Sequence, residues 1–223
     1  KTQGDWGEMI LSSILDQTGL RSGKEYTIQG SFSDTDGKRL RPDVIVHLPS
    51  KKDIIIDSKV SLNSYVSYCK TENEVQKEIA AKELVKSITT HIKGLSLKRY
   101  EELEGVRTLD FVLMFIPVEG AFILATSTDD TLFKMAFEHN IMLVSPSTLY
   151  VTLRTIENVW RNEHQNENAQ LISKKAADLY DKFVSFVSEI EDIGTNINKT
   201  QKAYENAVNK LSSGNANLIK RAE

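Results

Sequence analysis

Two carboxylates and a lysine stand at the ends of runs that are otherwise β-branched and apolar. In RPDVIVHLPSKKDIIIDSKVS, residues 41 to 61, Asp43 opens DVIVHL, while Asp57 and Lys59 close DIIIDSK. Burying an ionised carboxylate is costly unless a cation, a metal or hydrogen bonds compensate it. Strand side chains alternate faces, so Asp57 and Lys59 share one face, roughly 6 to 7 Å apart, and Ser58 points into the opposite layer. A hairpin pairing of the two runs would bring Asp43 beside Asp57. Two carboxylates from adjacent strands with an ammonium nearby make an oxygen-rich site for Mg²⁺ or Mn²⁺, which a main-chain carbonyl and waters can complete. A cation held by Asp43 and Asp57 would lower the pKa of a bound water and polarise a phosphoryl oxygen. Lys59 would orient the nucleophile or offset charge developing on the phosphate. Phosphodiester hydrolysis needs these parts, and needs neither a Ser-His-Asp set nor a glycine-rich phosphate loop.

The elements that must hold these residues follow from periodicity. GDWGEMILSSILDQTGL puts Trp6, Ile10 and Ile14 on one helical stripe with Leu11 and Leu15 beside it, and Gly19 ends it. KEYTIQGSF reads as a weak strand and SDTDGKRLR as a turn-rich, basic connector. PDVIVHL and KDIIIDSKV, joined by PSKK, read as neighbouring antiparallel strands, apolar on both faces as central strands covered by helices are. Residues 72–95 carry Val75, Ile79, Val85, Ile88, Ile92 and Leu95 at helical spacing. LDFVLMFIPV is a further buried strand stopped by Pro117, STDDTLFKMAFEHN a capped helix, IMLVSP a last strand, and STLYVTLRTIENVW the start of a long helix. From Ile172 to Leu211 the apolar positions alternate by four and three, a heptad seam on a long helix or on a pair interrupted at Gly194. The seam serves either a partner helix or the chain's own core. The expected organisation is an α/β domain over 1–168 and a long helical, coiled-coil-like segment over 169–223.

At 223 residues with 40% hydrophobic content, the chain can bury one sizeable core. A net charge of −3 argues against a histone-like binder, so affinity for phosphates must come from a local patch. Cys69 is the only cysteine, which excludes an intrachain disulfide and a cysteine-based zinc site and points to a reducing compartment, the cytoplasm. No run is long and apolar enough to span a bilayer, and no signal peptide is visible. The opening KTQGDWGE lacks a methionine and the closing KRAE continues a helical pattern, as expected of a fragment. An anchor outside it is left open, and membrane contact is expected only through such a segment.

PD at 42–43 followed by DSK at 57–59 resembles the PD-(D/E)xK motif of restriction-endonuclease-like nucleases, on the second and third strands of an αβββαβ core with a mixed sheet. Beyond the motif, GDWGEMIL, RPDVIVHLP, IDSKVSL, HIKGLS, DFVLMFIPVE, LVSPSTL and LYDKFV resemble the RmuC family of bacterial DNA recombination proteins over nearly the whole chain. The resemblance implies a metal-dependent DNA nuclease domain concerned with recombination and with limiting DNA rearrangement. It also implies relatives with an N-terminal anchor and coiled coil. The competing expectation is a non-catalytic DNA-binding or scaffolding module that oligomerises through its helices. A third is an unrelated metal-dependent hydrolase acting on nucleotides.

Glu8 has two explanations. Asp5 followed three residues later by Glu8 is a capping-box spacing. In nucleases of the resembled class the opening helix supplies a carboxylate to the metal, which places Glu8 with Asp43 and Asp57. Lys38, Arg39, Arg41, Lys51 and Lys52 flank the two strands and could touch phosphates, although Asp34, Asp36 and Asp53 dilute the patch. His47 falls on the face of Asp43 and is expected to be satisfied by a hydrogen bond, and Glu119 reads as a solvated loop residue. The stripe Arg154, Asn158, Arg161, Gln165 and Asn168 reads first as a wet helix face.

Overall fold

The two β-branched runs form the middle of a five-stranded mixed sheet, as their apolar faces require. The computed structural model describes residues 2–28, 32–33, 39–40, 42–49, 51–58, 62–98, 100, 111–215 and 219, with backbone alone at 2–5, 32–33 and 39–40. Helix α1 (Thr2–Thr18) leads to β1 (Tyr26–Ile28), a separate ribbon of β2 (Phe32–Ser33) and β3 (Arg39–Leu40), and the hairpin β4 (Val44–His47) and β5 (Asp53–Asp57). Helices α2 (Asn63–Lys70) and α3 (Glu74–Ser96) cross to β6 (Val112–Phe115). Helices α4 (Glu119–Thr128) and α5 (Leu132–Glu138) then lead to β7 (Ile141–Val144) and α6 (Pro146–Val208). The sheet order is β1-β4-β5-β6-β7, antiparallel from β1 to β5 and parallel from β5 to β7. The carboxyl ends of β5, β6 and β7 therefore open on the same edge.

Alternation along the strands divides the core. Ile45, Ile55, Met114 and Leu143 pack against Leu84, Ile88 and Ile92 of α3 and against Ala121, Leu132 and Ala136 of α4 and α5. Val44, Val46, Ile54, Ile56 and Phe115 face the other way, onto Leu11 and Leu15 of α1 and Leu149, Leu153 and Ile156 of α6. Every residue of β5 is buried, which is why its run reads apolar without alternation.

Local chemistry sets the element ends. Gly19, at φ 85°, takes the left-handed conformation that closes α1, and Arg154 Nη1 donates to Thr18 O at 2.9 Å, satisfying a carbonyl left open at that helix end. Asn73 begins α3, its side chain accepting from Val75 and Gln76 N–H groups, worth about 1 kcal/mol. Three expectations change. Helix α1 starts at Thr2, so Asp5 lies within the helix and is not its N-cap. Thr131 makes no side-chain cap for α5; instead Asp129 Oδ1 accepts from Thr131 N at 2.9 Å and Oγ1 at 2.7 Å. Helix α6 runs unbroken through Gly194, whose cost of about 1 kcal/mol relative to alanine a helix of 63 residues absorbs.

The chain divides into two compact units, Lys1–Glu163 and His164–Glu223. In the second, the heptad seam is an exposed apolar stripe, from Ile190 at 52% exposure to Leu179 and Tyr204 at 70%. Among the described residues no helix is long and apolar enough to cross a membrane.

Candidate active site at the strand ends

β-Branched residues make β4 and β5 stiff and well paired, and their register places the acids. Val44 pairs with Ile56 and Ile45 with Ile55, so continuing the ladder by one residue sets Asp43 opposite Asp57. Both are buried, at 8% and 1% exposure, so each must have its charge or hydrogen bonds accounted for. Asp43 Oδ2 accepts the Ser58 N–H at 2.7 Å, which clamps the open end of the hairpin. Ser58 itself turns to the α1 layer, since a Cβ on Gly7 would lie 3.8 Å from its Oγ.

Asp57 is compensated by three groups that sequence reasoning did not single out. Lys98 Nζ donates to Oδ2 at 2.7 Å, Tyr100 OH donates to the same oxygen at 3.1 Å, and His91 Nε2 lies 3.3 Å from Oδ1. Helix α3 carries His91, and the turn just beyond its end carries Lys98 and leads to Tyr100. Lys98 also sits 5.5 Å from the Tyr100 ring centroid and 3.2 Å from its hydroxyl, so the ammonium is steered by a ring as well as a carboxylate. Burial alone would raise the Asp57 carboxyl, but the His91 hydrogen bond and the Lys98 charge overcome it and hold the group well below the usual carboxylate range. Burial, followed by the Asp57 charge, pushes the Tyr100 phenol far above its usual range, with a smaller push from Asp43. Tyr100 is thus a neutral donor and Asp57 a permanent anion near neutral pH. HIKGLS, one of the blocks of the family resemblance, contained His91; nothing in its periodicity tied it to Asp57.

Glu8 approaches from the other layer. It and Asp43 line a small cavity of about 20 Å³, with Leu11, Ser12, Leu15 and Val44 among its walls. That is room for one water-sized species. Asp43 therefore touches both groupings, Glu8 across the cavity and Asp57 across the hairpin. Its Oδ1 takes no hydrogen bond from the described residues. Among the described residues no three His, Cys, Asp or Glu are grouped closely enough to hold a metal by themselves. The oxygen donors are of the kind a hard divalent cation takes: the Glu8 and Asp43 carboxylates on the water-sized cavity, and the ionised Asp57 across the hairpin, whose Oδ2 Lys98 already engages.

The remaining sequence candidates fall elsewhere. Lys59, Lys38 and Arg41 lie outside the described residues, as does the side chain of Arg39. Lys51 and Lys52 sit in the turn joining β4 to β5, at the end of the hairpin opposite Asp43 and Asp57, because the acids occupy its open end. His47 is satisfied at that far end, with Nδ1 2.6 Å from Asp53 Oδ1 and Nε2 3.0 Å from Thr27 Oγ1. Glu119 begins α4 and is half-buried, accepting from Ser145 Oγ at 2.8 Å and Ser147 N at 3.1 Å. Arg161 is engaged by Glu157 within α6.

The RmuC family profile matches residues 1–223. A DNA recombination protein RmuC homolog of Vibrio cholerae serotype O1 is 48% identical over 223 residues, covering 100% of this chain and 44% of that protein. One from Neisseria meningitidis serogroup B is 51% identical over 230 residues, covering 100% of this chain and 38% of that protein. The DNA recombination protein RmuC of Escherichia coli K12 is 48% identical over 223 residues, with 100% and 47% covered. The chain spans about half the length, or less, of these curated relatives. Matched along its whole length, the chain belongs to the RmuC family.

Proposed function

We propose that this chain cleaves DNA phosphodiester bonds with a divalent cation, Mg²⁺ or Mn²⁺, on a restriction-endonuclease-like core. The observation that carries the reading is Asp43 set opposite a buried Asp57 that is kept ionised, at the edge where three parallel strands end. The substrate class comes from the relatives, whose names describe DNA recombination proteins.

Asp43 and Asp57 would hold the cation and Glu8 would complete the acidic set. A carboxylate already ionised ligates without first losing a proton. The bound cation would supply an activated water and a polarised phosphoryl oxygen. Tyr100 and His91 fix the orientation of the Asp57 carboxylate through its two oxygens. Lys98 offers a positive charge within reach of any phosphate brought to Asp57. Lys59 would assist the nucleophile, as the motif implies.

The test is incubation with Mg²⁺ or Mn²⁺ and linear, nicked and single-stranded DNA, comparing the parent chain with Lys59→Ala at equal circular dichroism. Cleavage by the parent alone is expected. Equal cleavage by both, or none by either, refutes the assignment.

One observation favours a second reading. Lys98 already neutralises Asp57, as a non-catalytic scaffold would require. That scaffold would bind DNA, or self-associate through the exposed α6 seam, without turnover.

A further inference from the structure

We infer that the groove along α3 is the track for a DNA strand, binding its phosphodiester backbone and leading it to Asp57. The inference rests on the phosphodiesterase reading of the Asp43–Asp57 pair and names where its substrate lies. The groove encloses about 740 Å³, and two of its lining residues, His91 and Lys98, are among the three groups that bond Asp57. A strand lying in it would therefore meet two of the side chains that hold the buried Asp57.

Its lining suits a sugar-phosphate chain. Ser87 and Thr90 lie along it between Lys86 and Lys98, the Thr90 hydroxyl donating to Lys86 O at 2.8 Å. The two lysines are twelve residues apart, about 18 Å at helical rise, against one phosphate charge per about 3.4 Å of axis in each DNA strand. Lys86 is exposed and makes no ion pair with a described residue, so its charge is available to a phosphate. Lys98 faces both Asp57 and the groove. Among the described residues Glu83 is the one acid in the lining, so binding is local and weak in charge, consistent with a chain of net charge −3. Gly94 lies between the lysines with no atom of a described residue within 4 Å of where a Cβ would stand, so a side chain there enters the groove and not the core.

That position supplies the experiment. Binding of fluorescein-labelled single-stranded and duplex oligonucleotides to the 223-residue chain is followed by anisotropy in chelator, across a salt series. Gly94→Lys should tighten binding and Gly94→Glu weaken it, each by about threefold or more at low salt, with Gly94→Ala as the neutral control. Lys86→Gln should lower the slope of log K against log salt by about one. Unchanged circular dichroism and melting would show that the variants fold alike. If Gly94→Lys and Gly94→Glu bind alike with the parent slope, the groove is not the track, even where Asp57→Asn abolishes cleavage. If the slopes move as expected and no DNA is ever cut, the groove stands and the hydrolytic reading falls.

Discussion

Replacing Lys98 by methionine removes the ammonium from Asp57 while keeping most of the apolar stem. Asp57 is 1% exposed, and breaking a buried ion pair by removing one partner costs about 3–5 kcal/mol. Two features reduce that figure. The Lys98 side chain is 30% exposed, so water screens part of the pair, and Tyr100 and His91 still hydrogen-bond the carboxylate. A loss of about 2–3 kcal/mol near neutral pH is expected. The Asp57 carboxyl is lowered in the folded protein, so its contribution is fully present above the unfolded carboxylate pKa of about 3.9 and is lost as pH falls below it. In Lys98→Met burial has less opposition and the carboxyl rises, so the gap between parent and variant should narrow as pH falls through about 4. Urea unfolding at about pH 7 and about pH 3, with and without Asp57→Asn, measures this as a double-mutant cycle. The reasoning requires that Lys98→Met cost at least about 1.5 kcal/mol less once Asp57 is asparagine. An equal cost in both backgrounds would show that Lys98 stabilises through packing and that the pair is not what holds Asp57.

Other outcomes follow from the same geometry. Asp57→Asn should weaken calorimetric Mg²⁺ binding and also destabilise the fold, because it strands Lys98; tighter metal binding would contradict its role as a ligand. Glu8→Gln, which breaks no capping box because Asp5 is inside α1, should keep the fold by circular dichroism while lowering Mn²⁺ affinity. An unchanged affinity would remove Glu8 from the acidic set. Arg154→Ala should cost about 1–2 kcal/mol in urea unfolding by exposing Thr18 O, and no loss would mean water caps that helix end equally well. Phe183→Asp, on a seam residue 62% exposed, should cut self-association more than tenfold, at about 2 kcal/mol per buried phenylalanine; identical mass by light scattering at all concentrations would refute a seam partner.

The hairpin was readable because its signals are local. Two β-branched runs, a Pro-Ser-Lys-Lys connector and the period of two along a strand placed Asp43 beside Asp57 and Ser58 on the opposite layer, as the register and the Gly7 neighbourhood have it. Gly19 and the helices α1 and α3 were legible for the same reason, since a helix tests contacts only three or four residues apart, but their buried faces only in part: Trp6, Val75 and Ile79 are exposed, and α3 buries Ala80, Ala81 and Leu84 beside the expected Ile88, Ile92 and Leu95. Helices α2 and α4 escaped because their strongly packed neighbours dominate the pattern. Helix α2 buries no residue fully and α4 only Ala121 and Ala125.

What answers the charge of Asp57 could be learned only from the folded chain. Its partners His91, Lys98 and Tyr100 lie 34, 41 and 43 residues further on. No periodic spacing connects them, since the interval is set by the lengths of α2 and α3 and by how α3 crosses the sheet. The residues alone demanded a compensating positive charge near that strand end, because a bare buried carboxylate is too costly. They offered Lys59 from the same strand and could not name Lys98, because a long-range ion pair depends on where two distant segments pack, which only the sum of all core contacts decides.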